Sequence, residues 1–359
     1  MKITAILSRY TANRDIIEED FGRQMRLFEQ LQKHGHQLIM ICADYKKHRN
    51  ETLTMHGMKV ISISFNWKFP IPFAVKCHKI IKKENPDLII AATEPIWGIL
   101  GCILAKSFRK PLLYDIHDNF KVYDSYKIPL MGIMERQVIK NAAVVTVVSE
   151  NLKKDIGIKK AVVIENGYNE KLFRPMDKKK CRKQLKLPEK ARIISYIGSI
   201  QKVQGTDILI KAAQELRKGM PELKLMLAGK TVTKNNQAVE TMQEGVINLG
   251  SIPQEQVPAA INAADIMVIP YPKNAFTQYC SPYKIAEFMA CEKPIVTTDV
   301  GTLKELAGKY VAKPGDRESL KQEIRKALKG PARIRYAKTK EYGWERIGKK
   351  LDSAVRGLA

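Results

Sequence analysis

Short runs of apolar and β-branched residues alternate along this chain with longer stretches whose apolar positions recur every three or four residues. A short continuous apolar run suits a strand buried on both faces, and the three-to-four period suits a helix with one buried side. In the first half KITAIL, QLIMICA, KVISIS, DLIIAAT, PLLYDIH, VVTVVS and AVVIEN predict strands. The stretch FGRQMRLFEQLQKHG predicts a helix that ends on Gly35, which accepts the left-handed conformation of a helix terminus. In the second half RIISYIG, LKLMLAG, VINLG, IMVIPY, PIVTTDV and KYVAK predict strands, with helices over TDILIKAAQELRKG, EQVPAAINAA and PYKIAEFMAC. Strands and helices in alternation predict an α/β fold built on parallel sheets.

Between the halves, residues 168–190 are polar and basic with no strand pattern, which predicts a linker at a domain boundary. Two doubly wound sheets are therefore expected, in residues 1–170 and 171–335. The last stretch, 332–359, reads as helix, with Trp344, Ile347, Leu351 and Val355 at spacings of three or four. Ligands of doubly wound sheets bind beyond the carboxyl ends of the strands, and the cleft between two facing domains is the default site.

The 359 residues are too many for one ordinary core, which supports the two-domain reading. Six scattered cysteines, with no C-x-x-C pair and no zinc spacing, suit reduced thiols and a cytoplasmic location. The opening MKITAILSRY predicts no signal peptide, and the longest apolar stretch, Pro95 to Ala105, is too short to span a bilayer. The formal charge of +25 is divided between the halves, +10 over residues 1–175 and +15 over the remainder. Such a charge favours polyanionic partners: nucleic acid, anionic lipid or phosphorylated substrates. No aromatic-basic platform or reading helix points to specific nucleic-acid binding.

Residues 52–83 hold six lysines and no acid. Within them a helix would place Lys76, Lys79, Lys82 and Lys83 on one face and Phe73, Cys77, Ile80 and Ile81 on another. Either this helix lies on an anionic membrane, with Trp67 and Phe69 nearby, or it packs its apolar face on the sheet and leaves its lysines solvated.

Three loops could hold phosphate. After ISYIG comes SIQKVQG, where Gly198 and Gly205 allow close approach and Lys202 offers a countercharge. Gly229 and Lys230 follow another strand, in LAGKTVTKNN. In SPYKIAEFMACEKPIVTTDVG, Ser281 and Pro282 start a helix whose Lys284 and Glu287 share a face. That pair is either a surface salt bridge or a site in which Glu287 accepts from sugar hydroxyls and Lys284 meets phosphate. In LLYDIHDNF, His117 and Asp118 stand at a strand's carboxyl end, where the histidine could donate or bear charge near a reacting group. The long loop SRYTANRDIIEEDFGRQ, with Gly22 and Arg23 where its helix begins, suits a functional loop.

Together GHQLIMICA, DIHD, IENGYNEKLFRP, YIGSIQKVQGTDILIKA, INLGSIPQEQVPAAINAADIMVIPY and SPYKIAEFMACEKPIVTTDVG resemble the retaining glycosyltransferases of family 4, the group 1 glycosyl transferases, over nearly the whole chain. The resemblance implies a GT-B fold: two Rossmann-like domains facing a central cleft, with a terminal helix, 336–359, returning toward the amino-terminal domain. It implies a nucleotide-diphospho-sugar donor, such as a UDP- or GDP-sugar, in the carboxy-terminal domain and an acceptor in the amino-terminal one. The donor would be bound by Gly198, Ser199, Lys202, Gly229, Lys230, Tyr279, Ser281, Tyr283, Lys284 and Glu287. His117 and Asp118 would stand at the donor sugar, with Gly22 and Arg23 on the acceptor side. Transfer would retain anomeric configuration without a metal or other cofactor, and no D-x-D motif stands out. The acceptor expected is a lipid-linked or cell-envelope glycan, with the enzyme peripheral on the inner face of the plasma membrane.

Three positions depart from the family pattern. Tyr279 stands where the first of two glutamates is common, Ser199 where an arginine is common, and Gln204 where a lysine is common. Two cations that would oppose a leaving diphosphate are thus missing, and Lys202 and Lys284 are the candidate replacements. An eroded, non-catalytic binding protein and a GT-B sugar-nucleotide epimerase are the alternative readings.

Overall fold

The computed structural model describes residues 1–11, 14–231 and 244–358. The chain divides into two compact units, one of residues 1–166 with the segment from Trp344 onward, the other of Gly167–Gly343.

In the first unit eight strands form one sheet in the order Val162–Val163, Val144–Val147, Leu112–Ile116, Leu88–Ala92, Lys2–Ser8, Gln37–Asp44, Met58–Ser64 and Glu51–Met55. All neighbours run parallel except the last pair. The central strands are apolar throughout because helices cover both faces, so Ile3, Ile6, Met40 and Ile90 are fully buried. The antiparallel strand Glu51–Met55 escaped the sequence reading. Its residues ETLTM are mostly exposed at the sheet edge, so no apolar run announces it. The order of strands reverses beside Lys2–Ser8: the chain winds one way through Gln37–Asp44 and the other through Leu88–Ala92. A crevice at the carboxyl ends is expected there.

The helix Ile71–Glu84 buries Phe73, Cys77 and Ile81, spaced four apart, and ends on Asn85 in the left-handed conformation. Its apolar face is therefore core, as in the second of the two readings offered above. Phe69, Ile71 and Val75 remain exposed beside Lys76, Lys79, Lys82 and Lys83. Among the described residues no helix is long and apolar enough to cross a membrane.

Among the described residues the second unit carries six parallel strands in the order Val246–Asn248, Leu223–Ala228, Arg192–Ile197, Ile266–Ile269, Ile295–Thr298 and Tyr310–Ala312. Residues 168–190 are not a bare linker. Tyr168, Phe173, Cys181 and Leu187 join the core of this unit, and Asp177 caps the helix Lys178–Gln184 by accepting from the Lys180 backbone. Wide spacing between those apolar residues hid the fold from a strand or helix template. The terminal helix is also shorter than its periodicity suggested, Trp344–Arg356, and buries Trp344, Ile347, Leu351 and Val355 within the first unit. Residues 332–343 before it form an irregular segment and a short 3-10 turn.

Candidate active site

Two turns at the carboxyl ends of the neighbouring strands Arg192–Ile197 and Leu223–Ala228 lie side by side in the second unit. The Gly198 N–H donates to the Ala228 carbonyl at 2.8 Å, the Ile200 N–H to the Lys230 carbonyl at 2.9 Å, and the Gly229 N–H to the Gly250 carbonyl at 2.7 Å. Glycine is required at Gly229 by contact as well as conformation, and at Gly198 by conformation. At Gly229 (φ 138°) a Cβ would stand 2.0 Å from the Gly198 carbonyl oxygen. At Gly198 (φ 139°) it would stand 2.4 Å from the Lys284 ammonium. The last residues of the LAGKTVTKNN loop, 232–236, lie outside the described residues.

Lys284 is the charged centre of this cradle. Pro282 precedes the helix Tyr283–Ala290 in extended backbone, so Lys284 is its second residue and Glu287 lies one turn in. Rather than ending as a solvated surface charge, the Lys284 ammonium turns inward. It donates to the Tyr196 hydroxyl at 3.0 Å and to Gln204 Oε1 at 3.4 Å. It also lies 4.2 Å from the centre of the Tyr196 ring and 5.3 Å from that of Tyr271. Burial of the ammonium lowers its pKa to about 7, while the charges of Cys280 and Glu287 work in the other direction.

Gln204, which stands where a lysine is common in the resembling family, is thus the acceptor that receives the Lys284 ammonium. Tyr196 holds the turn from below, donating to the Ser199 carbonyl at 2.9 Å and also meeting Gln204 Oε1. The structure brings Gly198, Ser199, Gly229 and Lys284 together, while Lys202 and Lys230 are exposed on the same two turns. Ser281 is buried, and Tyr279, Tyr283 and Glu287 are half-buried along the approach to the helix and its first turns.

In the first unit a cavity of about 630 Å³ opens beyond the carboxyl ends of five adjacent strands. Tyr10, Tyr45, Trp67 and Tyr123 give it aromatic walls; Glu94, His117 and the outlying Asp124 add acid and imidazole groups. Tyr45, Trp67, Phe65, Phe73 and Trp97 pack as one run of ring contacts behind the wall, with centroids 4.9 to 6.3 Å apart. Glu94 precedes the helix Pro95–Phe108 without capping it. Burial pushes the Glu94 carboxyl up, with the Ser125 hydroxyl beside it working in the other direction. Thr93 lines the cavity at φ 82°, a conformation a β-branched residue rarely adopts. Its hydroxyl fixes it there by accepting from the Ser8 N–H at 2.9 Å and donating to the Ala92 carbonyl.

Burial lowers the His117 pKa, with Asp118 and Asp115 opposing, so its imidazole is neutral near pH 7; Nδ1 has no hydrogen-bond partner among the described residues. Asp118 accepts from the Tyr123 hydroxyl at 2.7 Å and the Asn119 N–H at 2.8 Å, which positions the aromatic wall. Arg23 lies outside the cavity. It is buried and bidentate on Asp115 at 3.0 and 3.1 Å, and donates further to the Glu165 carbonyl and Asn166. Burial, the largest single influence, would raise the Asp115 carboxyl, but the charge and hydrogen bonds of Arg23, with smaller help from His117 and the Thr146 hydroxyl, together hold it below its ordinary range. Gly22, at φ 106°, delivers the chain into the helix Arg23–Lys33. Sequence reasoning therefore missed Tyr10, Tyr45, Thr93, Glu94 and Tyr123. A usable signal was that each follows a predicted strand or its neighbour at the carboxyl end.

A family model described as Glycosyltransferase Family 4 matches residues 25–172, and one described as Glycosyl transferases group 1 matches residues 177–346. TuaC of Bacillus subtilis, named as a teichuronic acid biosynthesis glycosyltransferase, is 27% identical over 257 residues, 68% of this chain and 63% of that protein. A D-inositol 3-phosphate glycosyltransferase of Corynebacterium aurimucosum is 25% identical over 57% of this chain and 54% of its own. The chain thus spans between about half and two thirds of the length of these relatives. Among solved structures, sucrose-phosphate synthase from Thermosynechococcus elongatus superposes with a TM-score of 0.78 at 20% identity, covering 99% of this chain and 98% of that one. Anabaena HepE in complex with UDP-glucose gives 0.74 at 17% identity, covering 99% and 100%. With both units matched by their respective models and a two-sheet architecture shared with GT-B structures, the chain belongs to glycosyltransferase family 4, the group 1 glycosyl transferases.

Proposed function

We propose that the protein is a retaining glycosyltransferase, independent of metal, that moves a sugar from a nucleotide-diphospho-sugar to a lipid-linked or cell-envelope glycan. The observation that carries this reading is the inward Lys284 ammonium beneath the Gly198 turn. The turn N–H groups not already given to carbonyls, such as that of Ser199, and Lys284 hold the diphosphate and stabilise the charge that collects on it as the glycosidic bond breaks. Lys284 thereby supplies a cation that Ser199 and Gln204 do not. Glu287, one turn further along the helix, accepts from the two ribose hydroxyls. A UDP-linked donor is favoured by the likeness to HepE, whose structure holds UDP-glucose.

The aromatic cavity of the first unit receives the acceptor. Its rings present flat apolar faces to sugar C–H groups, and Glu94 accepts from a hydroxyl. Neutral His117 donates to or accepts from the donor sugar. Trp67, Val122 and Ile128 are part-exposed on the cavity wall, and Phe69, Ile71 and Val75 lie exposed beside the basic face of the helix Ile71–Glu84. Apolar residues beside lysines suit docking on anionic lipid, from which a lipid-linked acceptor reaches the cavity. A likeness to TuaC favours a cell-envelope acceptor. Co-sedimentation with anionic liposomes at low salt is expected, and lost when Lys76, Lys79, Lys82 and Lys83 become Glu; unaltered sedimentation of that variant overturns the docking face.

Calorimetric titration with UDP and GDP tests the donor site. Glu287→Ala should weaken the bound nucleotide by about 1.5–3 kcal/mol, the worth of hydrogen bonds to a charged carboxylate. Unchanged affinity would remove Glu287 from the ribose. Nucleotide binding without turnover on any sugar nucleotide would favour the non-catalytic reading.

A further inference from the structure

The donor turns occupy the carboxyl ends of the second sheet, and a separate cavity of about 260 Å³ lies at its amino ends. Arg192 and Ile266 are the first residues of their strands, and Lys293 stands just before Ile295–Thr298, so all three line the entrance to the sheet from below. A six-residue strand is ~20 Å long, which separates this cavity from the glycine turns.

Its lining is cationic: Lys178, Arg192, Lys293 and Arg333 face a single carboxylate, Asp265. That carboxylate is already committed. Asp265 accepts from Lys178 at 2.8 Å, from Arg182 at 2.9 Å and from the Ile193 N–H at 2.7 Å. Lys293 is only 6% exposed, yet among the described residues no hydrogen bond or ion pair reaches its ammonium. Its chain is held by the backbone instead: its N–H donates to Phe288 at 3.1 Å and its carbonyl accepts from the Tyr336 hydroxyl at 2.9 Å. Arg333 reaches Glu292 only at 4.0 Å, and Arg192 reaches Glu222 at 3.6 Å, so neither cation is tightly neutralised. The ammonium thus borders the cavity rather than lying sealed in the core, and a cation held without a protein partner at the mouth of a largely desolvated site is placed to pair with an anion. Burial lowers the Lys293 pKa to about 8, and Asp265 works in the other direction; the ammonium form therefore predominates at pH 7.

We propose that this cavity is a second anion site, taking a small phosphoryl compound such as inorganic phosphate, pyrophosphate or a sugar phosphate between Lys293, Lys178 and Arg333. A water takes up about 30 Å³ in the liquid, so the cavity has room for a phosphoryl group with a further group attached. The site rests on none of the reasoning for the donor turns and stands or falls separately from it.

Calorimetric titration with pyrophosphate at low salt and pH 7 tests it. Binding should persist in Lys284→Met, whose donor cradle lacks its cation, and should weaken at least tenfold in Lys293→Met and in Arg333→Ala. Arg333 is a surface side chain, so its variant keeps the test decisive if Lys293→Met folds poorly. Inorganic phosphate and glucose 6-phosphate, titrated in the same way, show how much beyond one phosphoryl group the cavity accepts. Absence of pyrophosphate binding in Lys284→Met, or affinity unaltered in Arg333→Ala, overturns the site.

Discussion

Replacing Lys284 by methionine separates what this residue contributes to ligand binding from what it does to the fold. In the free protein the ammonium has a pKa of about 7, because burial against Tyr196 and Tyr271 disfavours the charge. The unfolded chain holds lysine near 10.5. Since the folded pKa is the lower one, the penalty is present in full below about pH 7 and disappears as pH rises toward 10.5. At about 1.4 kcal/mol per pKa unit its upper bound at pH 7 is about 4 kcal/mol, and partial hydration of the half-buried side chain reduces this to about 1–3 kcal/mol. Lys284→Met should therefore melt higher than the parent at pH 7, with the gain fading by pH 10.

Binding should move the other way. If a diphosphate binds the ammonium form and raises its pKa, affinity follows the charged fraction, which falls from about one half at pH 7 to about 0.03 at pH 8.5. Calorimetry with UDP should then show about fifteenfold weaker binding across that range, with uptake of about half a proton at pH 7. Buffers of different ionisation enthalpy measure the uptake. Lys284→Met should bind weakly and lose both the pH dependence and the proton uptake. Wild-type affinity that stays flat from pH 7 to 8.5, without buffer-dependent heat, would refute the assignment of Lys284 to the diphosphate.

Two further outcomes follow from the first unit. Arg23→Ala leaves Asp115 buried without its guanidinium, and loss of one partner of such a pair should lower stability by about 3–5 kcal/mol; chemical denaturation measures it, and a change under 1 kcal/mol would contradict the structural role given to the pair. Glu94→Gln should leave UDP affinity unaltered and lower kcat/KM for the glycan acceptor by about tenfold or more, the loss of a charge-assisted hydrogen bond. Equal loss of nucleotide affinity would detach Glu94 from the acceptor.

The strands of both sheets were legible because parallel strands buried on two faces carry nearly continuous apolar residues, as in KITAIL and LKLMLAG. Glu51–Met55 was not, because an edge strand with exposed residues needs no apolar pattern. Segment 168–190 looked like a linker for a related reason: its core contacts come from Phe173, Cys181 and Leu187, too widely spaced to form a period. At the turn of Gly198 the glycines were legible, since strand, glycine and helix follow in order. What could not be read was the direction of Lys284, which depends on Tyr196 and Gln204, 88 and 80 residues away in sequence. Arg23 shows the opposite case. A charged residue at a helix start looked available to a ligand, but Asp115, brought beside it by the sheet, takes its guanidinium. The aromatic cavity of the first unit is assembled from five loops, and no one of them carries a distinctive motif.

The central claim is sugar transfer from a nucleotide, and turnover tests it most directly. The protein should be incubated with UDP- and GDP-sugars, membrane lipid extract as acceptor source, and EDTA, while released nucleoside diphosphate and the anomeric proton of the product are followed by NMR. At least one sugar nucleotide should release its diphosphate in an acceptor-dependent manner despite EDTA, the product should keep the anomeric configuration of the donor, and Lys284→Met and Glu287→Ala should each reduce the rate at least tenfold. No release from any of them, inversion at the anomeric carbon, or full activity in both variants would contradict the account.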